Sequence, residues 1–165
     1  MSGETNARCT IRRAEQSDVG LIMQFVRALA EFERLADQVA ADEAMLANSL
    51  FGPRTYAECI LAFVGDKPAG FALYFHNFST FTGKPGLYLE DIFVEPGFRG
   101  SGVGLALFRE LSRIALARGC TRLQWAVLDW NEGAIGFYRR LGAKPMSDWI
   151  IQRLGRAEME ALAKV

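Results

Sequence analysis

The chain has 165 residues, half of them hydrophobic, and its 19 basic and 19 acidic side chains leave no net formal charge. This length and composition predict one globular domain over residues 1–165. The chain has neither the basic excess of a nucleic-acid-binding protein nor the like-charge block of a membrane-surface protein.

The three cysteines, Cys9, Cys59 and Cys120, are odd in number and widely spaced. This pattern is typical of reduced thiols in a cytoplasmic protein, not of a disulfide framework or a metal site. Residues 1–7 contain no apolar secretory region and are expected to be a flexible start. No apolar run approaches membrane-spanning length.

The first half of the chain alternates strand and helix patterns. Apolar residues recur at helical spacing from Leu21 to Phe32, behind Ser17 or Asp18 as the N-cap, and predict a helix. Apolar runs on either side of the turn residues 65–68 predict a β-hairpin. The other predicted elements here are a strand at 8–13, a helix at 42–50, hairpin strands at 58–64 and 69–75, and a loop at 79–86.

The second half continues with a strand at 87–94, a glycine-rich turn and an amphipathic helix that ends near Gly119. Asn131 is the expected N-cap of a further helix that stops at Gly142. The remaining predicted elements are strands at 123–128 and 149–154 and a terminal helix at 156–164. Together these elements predict a mixed α/β sheet with helices on both faces.

The turn Arg99-Gly100-Ser101-Gly102-Val103-Gly104 lies between a strand and a helix start. Without side chains at the glycines, the backbone N–H groups of such a turn can approach a phosphate, and the helix dipole favours negative charge there. A tight strand-to-helix connection without a ligand uses the same residues, so the turn alone is a weak signal.

Further motifs follow one another along the chain: Leu29 to Glu33, Tyr88 to Val94, Asp129-Trp130-Asn131 and Phe137-Tyr138. With the glycine turn, they resemble the diamine acetyltransferase branch of the GNAT N-acetyltransferase superfamily, which includes spermidine/spermine and thialysine acetyltransferases. Residues 30–33 and 127–131 favour the thialysine members. The resemblance implies an acyl-CoA N-acyltransferase fold, with a mostly antiparallel central sheet flanked by helices. It also implies acetyl-CoA as cosubstrate, no metal, and a homodimer with intertwined C-terminal segments.

Glu90 and Asp91 interrupt an otherwise apolar strand, where an ionised group is costly unless it is paired or solvated. In a regular strand the two carboxylates would point to opposite faces. A salt-bridged pair at a strand end is the structural alternative, but carboxylates in such positions mark functional sites. The resemblance implies that Glu90 binds the amine and acts as base, directly or through water, and that Asp91 supports the charge of the amine.

Tyr138 is either an ordinary core tyrosine or, as the resemblance implies, the acid that protonates the leaving thiolate. The resemblance assigns cosubstrate contacts to residues of the β-strand, the glycine turn and the later helix: Ile92, Phe93, Val94, Arg99, Gly100, Ser101, Gly102, Val103, Gly104, Leu105, Asn131, Ala134 and Tyr138. It assigns contacts with the amine to an acidic, aromatic-lined group: Phe32, Glu33, Phe81, Glu90, Asp91, Trp125 and Trp149.

Two positions depart from the polyamine enzymes, which leaves the amine open. Phe81 stands where spermidine/spermine enzymes have Trp, and the acidic segment before Trp149 is reduced to Ser147-Asp148. His76, the only histidine, matches no catalytic position of the family and is interpreted as structural. Three functions remain: a small-amine acetyltransferase, a protein N-terminal or lysine acetyltransferase, and a non-catalytic acyl-CoA-binding module.

Overall fold

The computed structural model describes residues 8–164, so the flexible start expected at residues 1–7 lies outside the described residues. The chain forms two compact units, one that ends at Ala126 and one that begins at Val127. No helix within residues 8–164 is both long enough and apolar enough to cross a membrane.

The first unit contains a five-stranded sheet in which the strands follow chain order. The first four strands pair antiparallel, and the fifth runs parallel to the fourth. The strands are β1 (Cys9–Arg13), β2 (Glu58–Val64), β3 (Lys67–Ser79), β4 (Lys84–Val94) and β5 (Leu123–Gln124). The prediction of a mixed, mostly antiparallel sheet is confirmed.

All five predicted helices are present. The first unit carries α1 (Val19–Phe32), α2 (Glu43–Phe51) and α3 (Val103–Ala117), and the second carries α4 (Glu132–Arg140) and α5 (Arg156–Leu162). Asp42 caps α2 by accepting a hydrogen bond from the Met45 N–H over 2.8 Å. Asp18 precedes α1, but its carboxylate instead binds the Arg12 guanidinium over 2.6 and 2.8 Å.

α1 and α3 pack on opposite faces of the sheet. The Phe25 ring of α1 stacks on Phe71 with ring centroids 5.4 Å apart, whereas Arg118, directly after α3, lies over the Tyr74 ring. Phe71 and Tyr74 are three residues apart on β3 and therefore point to opposite faces. Both aromatic side chains are fully buried. Burial of the Phe71 side chain contributes about 1.5–3 kcal/mol, and each of the two helices covers one face of the sheet.

The loop predicted at 79–86 is correct at residues 80–83 and wrong at 79 and 84–86, which belong to strands. β3 and β4 continue as a hairpin until Ser79 pairs with Lys84, and only residues 80–83 form the turn. Exposed polar residues made this segment look like a loop, but cross-strand pairing does not require apolar side chains on both faces. Gly83 supplies the positive φ of 63° that the tight turn requires.

Of the last two predicted strands, the one at 123–128 is shorter than expected and the one at 149–154 is wrong. β5 stops at Gln124 rather than continuing to 128. Residues 149–154 form no strand, and the side chains of Trp149, Ile150 and Ile151 are each at least 73% exposed. An apolar, β-branched run becomes a strand only where a neighbouring edge accepts its hydrogen bonds, and none within residues 8–164 does so for this run.

Candidate active site

The candidate site is organised around a bulge in β4. Asp91 pairs with Leu73, but the next pair along the strand is Leu89 with Tyr74, so Glu90 is an extra residue without a partner. Paired residues share a face, which puts Leu89 on the α3 side with Tyr74 and Asp91 on the α1 side with Leu73. The regular alternation expected for Glu90 and Asp91 is therefore interrupted at this point.

Three carboxylates interact near this bulge and form the acidic cluster: Glu33, Glu90 and Asp91. Burial, and to a smaller extent the nearby charges of Glu90 and Glu33, raise the pKa of Asp91 from its ordinary value of 3.8 to about 6. Burial also raises the pKa of Glu33. Glu90 itself is exposed. No basic side chain within residues 8–164 forms a salt bridge with any of the three. Grouped like charges of this kind make a negative region that attracts a cation.

The end of α1 fixes Phe32 and Glu33 beside this cluster. Arg34 adopts a left-handed conformation with φ of 62°, and the Leu35 N–H reaches back to the Ala30 oxygen over 2.8 Å. This helix-end motif is usually built with glycine, and a side chain in this conformation costs about 1–2 kcal/mol. The sharp turn stops the helix directly after Glu33 and so holds that carboxylate at the helix end.

The far half of β4 has an open edge. β5 pairs with β4 only through Leu87 with Leu123 and Tyr88 with Gln124. From Leu89 to Val94 no strand within residues 8–164 pairs with this edge, whereas the other edge pairs with β3. An open strand edge presents N–H and C=O groups that an extended ligand can bind as an added strand.

The glycine turn has the geometry of an anion site. Gly100 and Gly102 adopt φ of 79° and 92°, and a Cβ at either residue would meet open space. Gly102 is the N-cap of α3 and offers no side-chain cap, so the first-turn N–H groups of Val103, Gly104 and Leu105 have no acceptor within the helix. The Ser101 hydroxyl donates to the Phe98 oxygen over 2.6 Å. These observations fit a diphosphate held by backbone N–H groups.

In the second unit, Asn131 and Tyr138 belong to α4. The Asn131 side chain caps the helix by accepting a hydrogen bond from the Ala134 N–H over 3.2 Å, as the sequence predicts. Tyr138 is half-buried, and its ring centroid lies 5.6 Å from that of Phe137.

The aromatic residues assigned to the amine differ in their surroundings. Phe32 lies under the Arg99 guanidinium, and Trp125 packs edge-on against Phe108 of α3. Phe81, in the hairpin turn, is 96% exposed, and Trp149 in the second unit is 75% exposed. The structure thus brings Phe32, Glu33, Glu90 and Asp91 together around the end of α1 and the β4 bulge.

Two arginine interactions in the structure were not predicted from the sequence. Arg118 forms a two-pronged salt bridge with Glu58 and lies 3.5 Å from the Nε2 of His76, on the face of the sheet that carries α3. This salt bridge lowers the pKa of Glu58. Arg99 donates to the Val94 oxygen, which is part of the open β4 edge. The partners of Arg118 lie on β2 and β3 and become its neighbours only through the fold, whereas Arg99 reaches Val94 across the short turn at Pro96–Phe98.

Comparison with known proteins identifies the family. The profile of the Acetyltransferase (GNAT) family matches residues 23–143. The chain belongs to the GNAT acetyltransferase family. It is therefore an acetyltransferase, and GNAT enzymes use acetyl-CoA as cosubstrate.

Its relatives include enzymes of amine acetylation. The chain is 38% identical to the thialysine N-epsilon-acetyltransferase of Mus musculus, over 95% of this chain and 98% of that protein. It is 29% identical to an L-ornithine N5-acetyltransferase of Arabidopsis thaliana, over 94% of this chain and 88% of that protein.

Solved structures share the fold. An integron cassette protein from the mobile metagenome of V. cholerae superposes with a TM-score of 0.79 and 30% identity, over 95% of this chain and 98% of that one. An aminoglycoside acetyltransferase from an uncultured soil sample superposes with a TM-score of 0.75, over 89% of this chain and 97% of that one. At 17% identity, the second likeness concerns the fold alone.

Proposed function

We propose that this protein is a single-domain, cytoplasmic enzyme that transfers the acetyl group of acetyl-CoA to a primary amine of a small cationic substrate: a diamine, a polyamine or a thialysine-like amino acid. The observation that carries the proposal is the acidic cluster of Glu33, Glu90 and Asp91 beside the open edge of β4. The relatives named for thialysine and ornithine acetylation support the same class of substrate.

The residues that hold acetyl-CoA come from β4, the glycine turn and α4. The first-turn N–H groups of α3 receive the diphosphate, and Arg99 adds a positive charge beside them. The open edge from Ile92 to Val94 pairs with the pantetheine arm and directs one N–H at the thioester oxygen, where negative charge develops. Asn131 and Tyr138 contact the arm and its sulfur from α4.

The acidic cluster binds and deprotonates the amine. Glu90, exposed at the bulge, takes the proton of the attacking ammonium, directly or through water. The neutral nitrogen then attacks the thioester carbon, so that an N–C bond forms and the C–S bond breaks. Asp91 and Glu33 remain near a second cationic group of the substrate and hold it in place.

Tyr138 completes the proton balance at the leaving group. Its hydroxyl donates a proton to the departing thiolate, so that CoA leaves as the free thiol. The ammonium loses two protons: the first passes to Glu90 before attack, and the second leaves the nitrogen of the tetrahedral intermediate for solvent as the amide forms. Because Tyr138 gives one proton to sulfur, the net reaction releases one proton to solvent, with no change in oxidation state. Glu90 and Tyr138 regain their starting protonation by exchange with solvent.

A homodimer is part of the proposal. Its support is the exposed apolar run at residues 149–154, which has strand character but no strand partner within residues 8–164. A second copy of the chain provides a matching edge and covers these side chains. Analytical ultracentrifugation of the wild type and of an Ile150→Asp, Ile151→Asp variant tests this, and a monomeric wild type contradicts it.

The decisive experiment is a substrate panel with purified protein and acetyl-CoA, in which release of free CoA thiol is measured. Thialysine, lysine, ornithine, putrescine and spermidine are compared with a simple monoamine and with lysine-containing and N-terminal peptides. We expect kcat/KM for at least one dicationic small amine to exceed that of the monoamine and peptides by tenfold or more. A peptide preferred over every small amine would contradict the proposed substrate class, and no thiol release would contradict acetyl transfer to these amines.

A further inference from the structure

A group of side chains on the α3 face of the sheet lies behind the β4 bulge. Glu58 of β2 and Tyr74 of β3 are cross-strand partners and therefore share this face. Arg118 donates to the Glu58 carboxylate from both Nη atoms, from Nη2 over 2.8 Å, and its guanidinium carbon lies 5.9 Å from the Tyr74 ring centroid. The Arg118 Nη1 also lies 3.5 Å from the Nε2 of His76. We name Glu58, Tyr74 and Arg118 the rear clamp.

The rear clamp includes the residue of β3 that borders the bulge. Tyr74 pairs with Leu89, and the preceding residue of β3 pairs with Asp91. The extra residue, Glu90, lies between these two pairs. The pair of Tyr74 with Leu89 is therefore the last regular pair on the hairpin side of the bulge. Its position fixes one end of the segment that carries the proposed base.

The ring of Tyr74, rather than its hydroxyl, makes the contacts that hold this side chain. The side chain is fully buried, and its hydroxyl has no hydrogen-bond partner within residues 8–164. A buried hydroxyl without a partner is unfavourable, so packing around the ring must hold it in place. A guanidinium within about 6 Å of a ring is attracted to the aromatic face. Glu58 in turn orients the Arg118 guanidinium, because two parallel hydrogen bonds to one carboxylate fix its plane.

The pair of Tyr74 with Leu89 opposes one movement of the bulge along the strand. If the bulge moved by one pair toward the β3–β4 turn, Glu90 would pair with Tyr74 and Leu89 would become the extra residue. The Glu90 carboxylate would then lie on the α3 face, away from Asp91, and the buried Leu89 side chain would leave the core. A clamp that keeps Tyr74 opposite Leu89 therefore keeps Glu90 at the bulge.

We propose that Arg118 is a positioning residue for acetyl transfer: from the rear face of the sheet it holds the pair of Tyr74 with Leu89 and so keeps Glu90 where it can reach the amine. This inference rests on the proposed role of Glu90 as the base. The effect passes through β3 and β4, because the contacts of Arg118 with Glu58, Tyr74 and His76 lie on the α3 face.

Steady-state kinetics with thialysine test whether Arg118 acts through Glu90. Arg118→Gln should lower kcat/KM for thialysine about 10- to 100-fold, the cost of misplacing a catalytic group by about 1 Å, with unchanged CoA affinity by calorimetry. The loss should be largest at neutral pH and smaller at alkaline pH, where more of the amine is already neutral. In a Glu90→Gln background the same substitution should change kcat/KM by less than about twofold, because residues that act as a unit are not additive. Equal losses in the two backgrounds overturn the proposal.

Two further variants separate positioning from a general loss of stability. Arg118→Lys keeps a cation beside the Tyr74 ring but not the two-pronged salt bridge, and it should recover part of the lost kcat/KM. Arg113→Gln breaks the exposed salt bridge with Glu110 on α3 and should keep wild-type kinetics, which makes it the matched control. Thermal melts show that each variant is folded at the assay temperature. An Arg113→Gln protein as impaired as Arg118→Gln overturns the proposal.

Nuclear magnetic resonance measures the bulge itself, without turnover and without any amine. Nuclear Overhauser effects between the backbone protons of Tyr74 and Leu89 report their pairing. In Arg118→Gln we expect these effects to weaken and the amides of residues 89–91 to exchange with solvent about tenfold faster. Unchanged Overhauser effects and exchange rates in a folded Arg118→Gln protein overturn the proposal. If thialysine is not acetylated, or if Glu90→Gln is fully active, the proposed substrate or base is wrong, and this measurement alone decides the role of Arg118.

Discussion

Replacement of Asp91 by Asn should stabilise the protein while it impairs catalysis. Burial and the charges of Glu90 and Glu33 raise the pKa of Asp91 from 3.8 to about 6. This difference corresponds to about 3 kcal/mol of penalty on the ionised form in the folded state. Asn keeps the size and shape of the side chain without the charge. We expect Asp91→Asn to raise the free energy of unfolding at pH 7.5 by about 1–3 kcal/mol.

The pH dependence of this gain follows from linkage. Because the pKa of Asp91 is higher in the folded state than in the unfolded chain, the folded protein binds an extra proton between about pH 4 and pH 6. The contribution of Asp91 to wild-type stability is therefore present below about pH 4 and is lost as the pH rises through 6. The advantage of Asp91→Asn should be small at pH 4, grow up to pH 6 and stay constant above.

Urea denaturation at pH 4, 5, 6 and 7.5, followed by tryptophan fluorescence, measures this difference between the two proteins. Asp66→Asn is the matched control, because Asp66 is exposed in the turn between β2 and β3 and lies outside the acidic cluster, so the stability of this variant should remain within about 0.5 kcal/mol of wild type at every pH. An Asp91→Asn protein that is less stable than wild type at pH 7.5 would show that other groups in the folded protein stabilise the ionised Asp91 carboxylate. This result would refute the argument that burial of its charge destabilises the fold.

Three other substitutions test the proposed chemistry. Tyr138→Phe removes only the hydroxyl and should lower kcat about 10- to 1000-fold with little change in CoA affinity, as measured by steady-state kinetics and calorimetry; a normal kcat with chemistry rate-limiting would return Tyr138 to a packing role. Gly104→Val, within the first turn of α3, should abolish CoA binding as measured by calorimetry on the folded variant, because a branched side chain would occupy the place of the anion. An unchanged CoA affinity would contradict the assignment of the glycine turn as the diphosphate site. Glu90→Gln should lower kcat/KM steeply at neutral pH and much less at alkaline pH, because more of the amine is already neutral there. A pH profile of kcat/KM that matches wild type in height and shape would exclude Glu90 as the base.

The sequence predicted the helices better than the strands. Caps and periodic apolar residues are local signals, and both Asp42 and Asn131 cap their helices as hydrogen-bond acceptors. The short length of β5 and the absence of a strand at 149–154 depend on whether a neighbouring strand offers an edge for hydrogen bonding. A short window of sequence contains no information about the availability of such an edge. The same limit applies to the position of the bulge, which is a property of the register between β3 and β4.

For the candidate site, too, local motifs were predictive and contacts between residues distant in the chain were not. The motifs pointed to Glu33, Glu90 and Asp91, and the structure brings their charges within interaction range. The cover of Phe32 by Arg99 was not predicted, because 67 positions separate the two residues in the chain and only the packing of α1 against the sheet brings them together.

The bulge at Glu90 lets β4 carry one more residue than the facing part of β3 without turning the strand over. Leu89 and Asp91 keep the faces of their partners Tyr74 and Leu73, and Glu90 lies outside the alternation. Deletion of Glu90 would therefore restore a regular ladder with the same pairs and remove the exposed carboxylate alone. Deletion of Ile92, from the regular part of the strand, would instead turn Phe93 away from Phe25, whose ring centroid lies 6.3 Å from its own. The segment around position 90 is thus the one place in β4 where a change of length should leave the core intact.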